Sequence, residues 1–371
     1  MKNVLLLGTL MTLGAVLLLV LRPATAAAGT DAVSGDFKVL APISHGSLTI
    51  FPVVAAKVHD TSGFLTLDEG IRSGEVAVSE VGKITSMIRR RHTMPVQSGA
   101  QVNRLVLVNN SRLPLILLAG EVVTGGQQDR VVGKDRIVPA ESDPVDLSVF
   151  CVEHGRWTEK SANFITNGSV MVQPSVRKQA MAAKDQQKVW DEVSRSQNSF
   201  AAAVVAAPAT GQDANDSAVR ELRGTTSYAN VRNNEAVKQQ VESITGPMQK
   251  SFESVIKQLR EQNAVGVVVA VKGKIIWADI FASNSLLSKY WPKLLQSYAA
   301  EALTFTGDHA EVTARAAQAF VDNWQARHEV VESEPGLYRQ SEKTGDKFRA
   351  FELTSLLPKQ NFNVHISKMS E

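Results

Sequence analysis

The chain has 371 residues, of which 44% are hydrophobic and 21% are charged, and these fractions are ordinary for a globular protein. They exclude a collagen-like, coiled-coil or wholly disordered chain, and the length suffices for one large domain or for two domains. The 40 Lys and Arg residues against 37 Asp and Glu give a net charge of +3, which offers no electrostatic basis for binding nucleic acid.

Residues 1–28 are typical of an export signal. Lys2 gives a positive start, residues 4–21 are apolar and uncharged, and residues 24–28 supply the small side chains of a cleavage site. We therefore expect a signal peptide and a protein that is exported from the cytoplasm, either periplasmic or secreted. The alternative is an uncleaved N-terminal membrane anchor, because 18 apolar residues are at the lower limit for crossing a bilayer.

Strand patterns dominate residues 37–157. Alternating stretches rich in β-branched residues predict two strands within 37–58 and further strands over 75–81, 102–109, 113–119 and 145–153. Thr66 followed by Glu69 is the signature of a capping box, in which each side chain bonds the backbone N–H of the other residue. This pair predicts a short helix over 66–71.

Helical periodicity dominates residues 176–262. Apolar residues recur at helical spacing over 176–204, and a second helical stretch runs over 234–262. Small and polar residues with a proline and a glycine fill 201–217, and they predict an exposed loop between the two amphipathic helices.

Strands and helices are mixed from residue 264 onward. Two β-rich runs flank Lys272–Lys274 and predict a hairpin over 264–281. Further predicted elements are a helix over 285–304 with a break near Pro292, a helix over 309–330, a second hairpin over 336–354, and a tail of 17 residues. Because the strands form consecutive runs without regular βαβ alternation, the predicted fold is α+β. We expect a strand-rich antiparallel or mixed sheet in the N-terminal half, and long amphipathic helices with a β-hairpin in the C-terminal half.

Polar residues typical of a functional site are concentrated in residues 109–157. They follow predicted strands, where a sheet ends and loops begin, and loops of this kind often bear functional residues. The candidates for ligand binding are Gln127, Gln128, Asp129, Arg130, Arg156 and Trp157, and the candidates for catalysis are Glu121 and Glu153.

Two interpretations of these residues remain open. In the first, the carboxylates pair with Arg130 and Arg156 in a partly buried network that only stabilises the fold, since the arginine fork matches a carboxylate. In the second, the same arginines line a pocket and hold a small anionic ligand, while Glu121 or Glu153 acts as acid or base with a shifted pKa.

Several other site types are disfavoured. Cys151 lies in a strand with apolar neighbours, which indicates a small buried side chain rather than a nucleophile served by His154. The Gly125–Gln127 turn is too short for a phosphate-binding loop, and the seven histidines have no metal-ligand spacing. The sequence therefore predicts neither a cofactor nor a metal.

The motifs of this segment resemble those of a known family, the ARG-and-rhodanese-phosphatase-superfamily-associated protein domain. The resemblance rests on Leu-Ala-Gly-Glu at 118–121, Gly-Gly-Gln-Gln-Asp-Arg at 125–130, Val-Pro at 138–139 and Phe-Cys-Val-Glu-His-Gly-Arg-Trp at 150–157. It implies a family domain over about 30–330, followed by a C-terminal hairpin and tail over 331–371. It implies no particular reaction.

Taken together, these features favour an exported binding or scaffold module that uses the polar face at 121–157. Its partner is expected to be a small anionic ligand or another protein. Two alternatives stay open. One is an extracytoplasmic enzyme of the hydrolase class with a Glu/Arg centre. The other is a structural domain whose amphipathic helices dock a second protein.

Overall fold

A computed structural model describes residues 36–81, 104–156, 158–166, 170–207, 212–258 and 263–371. The predicted leader and Trp157 lie outside the described residues. Within them, no helix is both long enough and apolar enough to span a membrane.

The elements confirm the predicted α+β fold. The strands are β1 (Phe37–Val39), β2 (Ile43–His45), β3 (Leu48–Ala55), β4 (Leu65–Thr66), β5 (Val76–Glu80), β6 (Arg104–Asn109), β7 (Leu115–Leu117), β8 (Val122–Val123), β9 (Arg130–Val132), β10 (Arg136–Val138), β11 (Val145–Cys151), β12 (Ala264–Val271), β13 (Lys274–Phe281), β14 (Ala326–Glu334), β15 (Tyr338–Gly345), β16 (Phe348–Leu357) and β17 (Gln360–Ser370). The helices are α1 (Leu67–Ser73), α2 (Pro174–Lys178), α3 (Gln186–Ala206), α4 (Gln212–Gly224), α5 (Tyr228–Asn233), α6 (Glu235–Gln258), α7 (Asn284–Thr304) and α8 (Ala314–Asp322), with a π-helical turn at Gln179–Ala183.

The large sheet is antiparallel and is built around the predicted hairpin of β12 and β13. Its order is β1-β3-β12-β13-β17-β16-β15-β14, with β2 paired to β3. Every residue of the valine-rich β12 is buried, and α7 packs against that strand. Lys272 and Gly273 have positive φ values of 49° and 78°, the left-handed conformations that a two-residue hairpin turn requires.

Two smaller sheets contain the segment that holds the candidate site. One has the order β5-β6-β11-β9-β8 and the other has the order β10-β7-β4. The pairs are antiparallel except for β4 with β7, which is parallel. Leu105, Leu107, Leu147 and Val149 lie in the core of this region because alternate residues of β6 and β11 point inward.

The predicted capping box at Thr66 is present and determines where α1 begins. The Thr66 hydroxyl accepts from the amide of Glu69 at 3.3 Å, and the Glu69 carboxylate accepts from the amide of Thr66 at 2.9 Å. Gly74 ends the helix in the left-handed conformation at φ 73°. This helix places Asp68 in its first turn, where it becomes a partner in a buried ion pair.

The predicted helix over 176–204 is divided, and the predicted loop over 201–217 is mostly wrong. A π-helical turn separates α2 from α3, and Lys184 follows it at a φ of 51°. The alanine-rich residues that suggested a loop continue α3 to Ala206, because alanine is the best helix former. Ala207 is extended, as expected for the residue before a proline, and α4 starts at Gln212.

Three C-terminal predictions also require correction. Helix α7 continues through Pro292, because its buried side chains hold it against the core despite the lost backbone bond. Only Ala314–Asp322 of the predicted helix over 309–330 is helical, and Ala326–Glu334 forms the edge strand β14. The predicted tail contains the end of β16 and the whole of β17, a mostly buried strand that lies between β13 and β16. The second predicted hairpin is confirmed as β15 and β16.

We predict that deletion of residues 360–371 prevents folding. The deletion removes the strand that pairs with both β13 and β16, so the large sheet loses its continuity and buried apolar surface becomes exposed. Removal of Glu371 alone is the control, and it should leave the cooperative unfolding transition intact. Circular dichroism during urea unfolding measures both. A normal transition in the long deletion would show that these residues are a dispensable tail.

Candidate functional site

Pairing of β9 with β11 places the carboxyl groups of Asp129 and Glu153 side by side. Arg130 is opposite Cys151 in the antiparallel register, so the residues just beyond each strand are also neighbours. The amide of Val152 donates to the carbonyl of Asp129 at 3.1 Å, and the amide of Asp129 donates to Glu153 Oε2 at 3.1 Å. Backbone pairing, rather than proximity in sequence, therefore brings the two groups together.

Two cations and a hydroxyl surround these carboxyl groups. Arg156 Nη2 lies 2.7 Å from Glu153 Oε2 and 3.6 Å from Asp129 Oδ1. Lys160 Nζ lies 3.7 Å from Glu153 Oε1 and 3.9 Å from Asp129 Oδ2. Ser227 donates its hydroxyl to Asp129 Oδ2 at 2.8 Å. These five residues are called the Asp129 site below.

The loop between β8 and β9 forms the inner wall of the Asp129 site. Gly125 and Gly126 have φ values of 138° and 47°, and a Cβ on Gly126 would lie 2.4 Å from the Phe164 ring and 2.6 Å from Glu80. Only glycine fits both the conformation and the space. The carbonyls of the two glycines accept from Arg156 at 3.4 and 3.0 Å, which fixes the guanidinium group.

The two carboxyl groups of this site differ in the direction of their pKa shifts. Burial and the neighbouring Glu153 charge raise the pKa of Asp129 above 3.8. Burial also acts to raise the pKa of Glu153. Hydrogen bonds from Arg156 and from the Asp129 amide outweigh burial, so the pKa of Glu153 is lowered below 4.5. Asp129 is therefore the group that takes up a proton first as the pH falls.

Arg130 lies on the other side of the loop and is fully buried. Its Nη1 donates to the carbonyl of Gln128 at 2.7 Å, and its Nη2 lies 3.7 Å from Glu80 Oε1. The amide of Gln127 donates to the same Glu80 oxygen at 3.1 Å. The side-chain oxygens of Gln127 and Gln128 are buried and accept no hydrogen bond from the described residues. Arg130 thus has Glu80, which the sequence did not indicate, as its ion-pair partner.

Cys151 has the properties of a buried structural residue. It is fully buried in β11, and burial raises the pKa of its thiol to about 11. A thiol with such a pKa is protonated at neutral pH and is a poor nucleophile. The structure therefore agrees with the expected small buried side chain.

Glu121 belongs to a different buried cluster, which corrects the expectation that it shares a site with Glu153. Its carboxylate lies 2.5 Å from Lys293 Nζ, and that ammonium group also binds Asp68 at 2.7 Å. The amide of Leu118 donates to Glu121 at 2.7 Å, and the Tyr290 ring covers the ammonium group. Burial and the Asp68 charge raise the pKa of Glu121 despite Lys293. This cluster ties α1 and the β7–β8 turn to α7.

A third polar cluster, which sequence analysis missed, joins the small sheets to the large sheet. His365 on β17 contacts Asp135 Oδ2 at 2.6 Å through Nδ1 and Asp279 Oδ1 at 3.1 Å through Nε2. Arg177 Nη1 donates to Asp279 Oδ2 at 2.9 Å, and Tyr298 donates to the same oxygen. All five side chains are almost completely buried. The available signal was the isolated charge of Asp279 in the largely apolar β13, because such a residue is rarely buried unless it is paired.

The charges of this third cluster balance when His365 is protonated. Burial acts to lower the pKa of His365. The neighbouring Asp135 and Asp279 have the larger, opposite effect, so the pKa of His365 is raised above 6.5. Burial acts to raise the pKa of Asp279, but Arg177 and His365 lower it strongly. Two carboxylates then face one imidazolium and one guanidinium, which is the pairing that buried charges require.

The predicted site residues are therefore distributed over three places. Asp129, Glu153 and Arg156 come together, Arg130 lies behind them with Glu80, and Glu121 is elsewhere. Across the part of the chain that the structure describes, no group of three or more His, Cys, Asp or Glu side chains is arranged to hold a metal ion.

Comparison with known proteins gives a family match. The family model described as "ARG and Rhodanese-Phosphatase-superfamily-associated Protein domain" matches residues 36–368. No curated protein and no solved structure matches the chain. The matched segment ends within β17, so it extends beyond the boundary near residue 330 that the sequence motifs implied.

We predict that the free energy of unfolding falls as the pH rises above 6.5. His365 has a raised pKa in the folded state, so its stabilising contribution is complete below 6.5 and is lost as the pH rises through the folded-state pKa. Within this window the slope should approach about 1.4 kcal/mol per pH unit, the value for one proton. Urea unfolding at a series of pH values measures the slope.

Asp135→Asn provides the comparison for this prediction. Removal of one neighbouring carboxylate lowers the folded-state pKa of His365. The pH range over which the free energy of unfolding falls should therefore be narrower than in the natural chain. The comparison uses the slope above pH 6.5 rather than absolute stability, which the substitution also reduces. Parallel curves for the natural chain and Asp135→Asn would contradict the assignment of this pH dependence to His365.

Proposed function

Since the chain belongs to the ARG and Rhodanese-Phosphatase-superfamily-associated Protein domain family, whose activity is unestablished, we propose a function from the geometry of the Asp129 site. We propose that the protein is a binding module in which Asp129 and Glu153 receive a primary ammonium group of a ligand or of a partner protein. The observation that supports it most directly is the position of Lys160 over both carboxyl groups.

Lys160 occupies the outer side of the site without binding tightly. Its Nζ atom lies 3.7 and 3.9 Å from the nearest oxygens of Glu153 and Asp129, which are beyond normal hydrogen-bond length. Its side chain is 44% exposed, whereas the side chains of the two acids are 6% and 1% exposed. An exposed lysine at these distances contributes little stability, so an external ammonium group can replace it at low cost.

The arginines of this region favour a cationic ligand over the anionic ligand expected from sequence. Arg156 already donates to Glu153 and to the carbonyls of Gly125 and Gly126. Arg130 is fully buried beside Glu80. Each guanidinium group already has a carboxylate partner, whereas the carboxyl pair lies next to a displaceable cation. A ligand ammonium group would therefore gain charge-assisted hydrogen bonds that Lys160 does not make.

A second candidate function is hydrolysis, and the opposite pKa shifts of the two acids favour it. Asp129 has a raised pKa and Glu153 a lowered one. Neighbouring acids whose pKa values are separated in this way can act as proton donor and proton acceptor. In this reading Glu153, one of the two predicted catalytic candidates, acts as the base and Asp129 acts as the acid. Glu121 has no part in it.

We further propose that the protein acts outside the cytoplasm. The support is Lys2, the apolar run at 4–21 and the small residues at 24–28, which together have the pattern of an export signal. A fusion of residues 1–35 to a reporter that is active only after export tests this proposal. Absence of reporter activity would refute it.

We predict that Lys160→Met strengthens the binding of ethylamine. The substitution removes the internal competitor and leaves Asp129 and Glu153 in place, so the dissociation constant should fall about tenfold, as for a gain of one charged hydrogen bond. A chemical-shift titration measures it, with tetramethylammonium at equal ionic strength as a cation that lacks N–H donors. Lys57→Met changes an exposed lysine elsewhere and should have no effect.

Glu153→Gln and Asp129→Asn separate binding from catalysis. In a binding module Glu153→Gln should weaken ethylamine binding about tenfold, because one charged acceptor is lost. If the protein is a hydrolase, a screen of the natural chain against ester, amide and glycoside substrates should detect turnover. Either substitution should then abolish that turnover. If neither ethylamine binding nor turnover is detected, with folding verified by urea unfolding, the Asp129 site has a structural role only.

A further inference from the structure

A cleft of about 220 Å³ lies between β11, the π-helical turn and the edge strands of the large sheet. Phe150, Met181 and Phe351 are among its apolar lining residues, which are called the floor below. An apolar cavity of about 150 Å³ is sufficient to hold benzene, so this cleft has room for one ring and a short arm. It shares no lining residue with the Asp129 site.

Two lysines and two glutamates form the rim of the cleft. Lys134 Nζ lies 2.5 Å from Glu332 Oε2, and Lys184 Nζ lies 2.8 Å from Glu342 Oε2. Lys134 and Lys184 both line the cleft together with Glu332, and both lower the pKa of its carboxyl group. The cleft therefore brings two ammonium groups and one exposed carboxylate together with apolar lining residues.

The two glutamates differ in how firmly they are held. Glu342 is largely buried and has Arg349 as a second cation at 3.6 Å. The Glu332 side chain is 53% exposed and stands on β14, an edge strand in which every residue is exposed. A surface ion pair such as Lys134–Glu332 contributes little net stability, so Glu332 can turn into solvent at low cost.

We propose that this cleft binds a small apolar carboxylate. The ligand's carboxylate takes the place of Glu332 between Lys134 and Lys184, and its apolar body lies on Phe150 and Met181. Burial of the ligand and of the exposed wall residues gives the favourable free energy, while the lysines supply orientation.

The backbone around the cleft sets the shape of the cleft before a ligand binds. Gly133 packs so closely on Phe150 that a Cβ would lie 2.9 Å from the ring, which fixes the floor. The π-helical turn ends at Lys184 in the left-handed conformation, with φ 51°, and this geometry directs the lysine to the rim. Such π-helical turns often occur at functional sites. Val330, 44% exposed, forms a wall that a ligand would cover.

Isothermal titration of the full chain with phenylacetate tests the proposal, with hexanoate as a second apolar carboxylate. Phenylacetamide tests the need for charge, and acetate tests the need for the apolar body. We expect saturable binding of one phenylacetate, at least tenfold weaker binding of phenylacetamide, and no saturable binding of acetate.

Variants locate the binding. Lys184→Met should weaken phenylacetate binding about tenfold, and Glu332→Gln should strengthen it by removing the competing carboxylate. Ser148→Trp fills the cleft from an exposed position and should abolish binding while urea unfolding remains unchanged. Lys57→Met should bind as the natural chain does.

The outcomes decide between an occupied site and an inert cleft. Absence of saturable binding by both phenylacetate and hexanoate overturns the proposal. It is equally overturned if phenylacetamide binds as tightly as phenylacetate, or if a folded Ser148→Trp retains binding. Glu153→Gln should bind phenylacetate normally, so the result is independent of the function proposed for the Asp129 site.

Discussion

A histidine buried between two aspartates connects the sheets of this protein. His365 lies on β17 and Asp279 on the neighbouring β13, while Asp135 comes from the turn before β10. Removing one charge from water costs several kcal/mol unless a partner compensates it, so these groups can be buried only together. Their mutual pairing determines how the small sheets and α2, with Arg177, are placed against the large sheet.

The same requirement explains the arrangement of the other candidate residues. Lys293 is paired with two acids inside the protein, and Arg130 is buried beside Glu80. The charged groups of these residues are paired with one another inside the fold. Lys160 and Glu332 differ because each stands at the surface next to groups of opposite charge. The positions where a ligand can compete are therefore those where the internal partner remains exposed to water.

Local sequence patterns predicted the features of the fold that depend on interactions between residues close in sequence. Thr66 and Glu69 defined the start of α1, and Lys272 with Gly273 defined the turn of the central hairpin. The residues at 201–206 were misread as a loop although alanine favours a helix, and those at 360–370 were misread because composition alone does not show whether a segment finds a pairing partner. Alanine-rich residues continue α3, and the final residues become a strand only because β13 and β16 lie on either side.

The sequence by itself determined the α+β class, the buried role of Cys151 and the family to which the chain belongs. It also identified the segment in which Asp129, Glu153 and Arg156 meet. Only the tertiary structure decided that Arg130 pairs with Glu80 and that Glu121 pairs with Lys293. The physical reason is that ion-pair partners are set by strand register and helix packing between distant segments, which the spacing of residues along the chain does not encode.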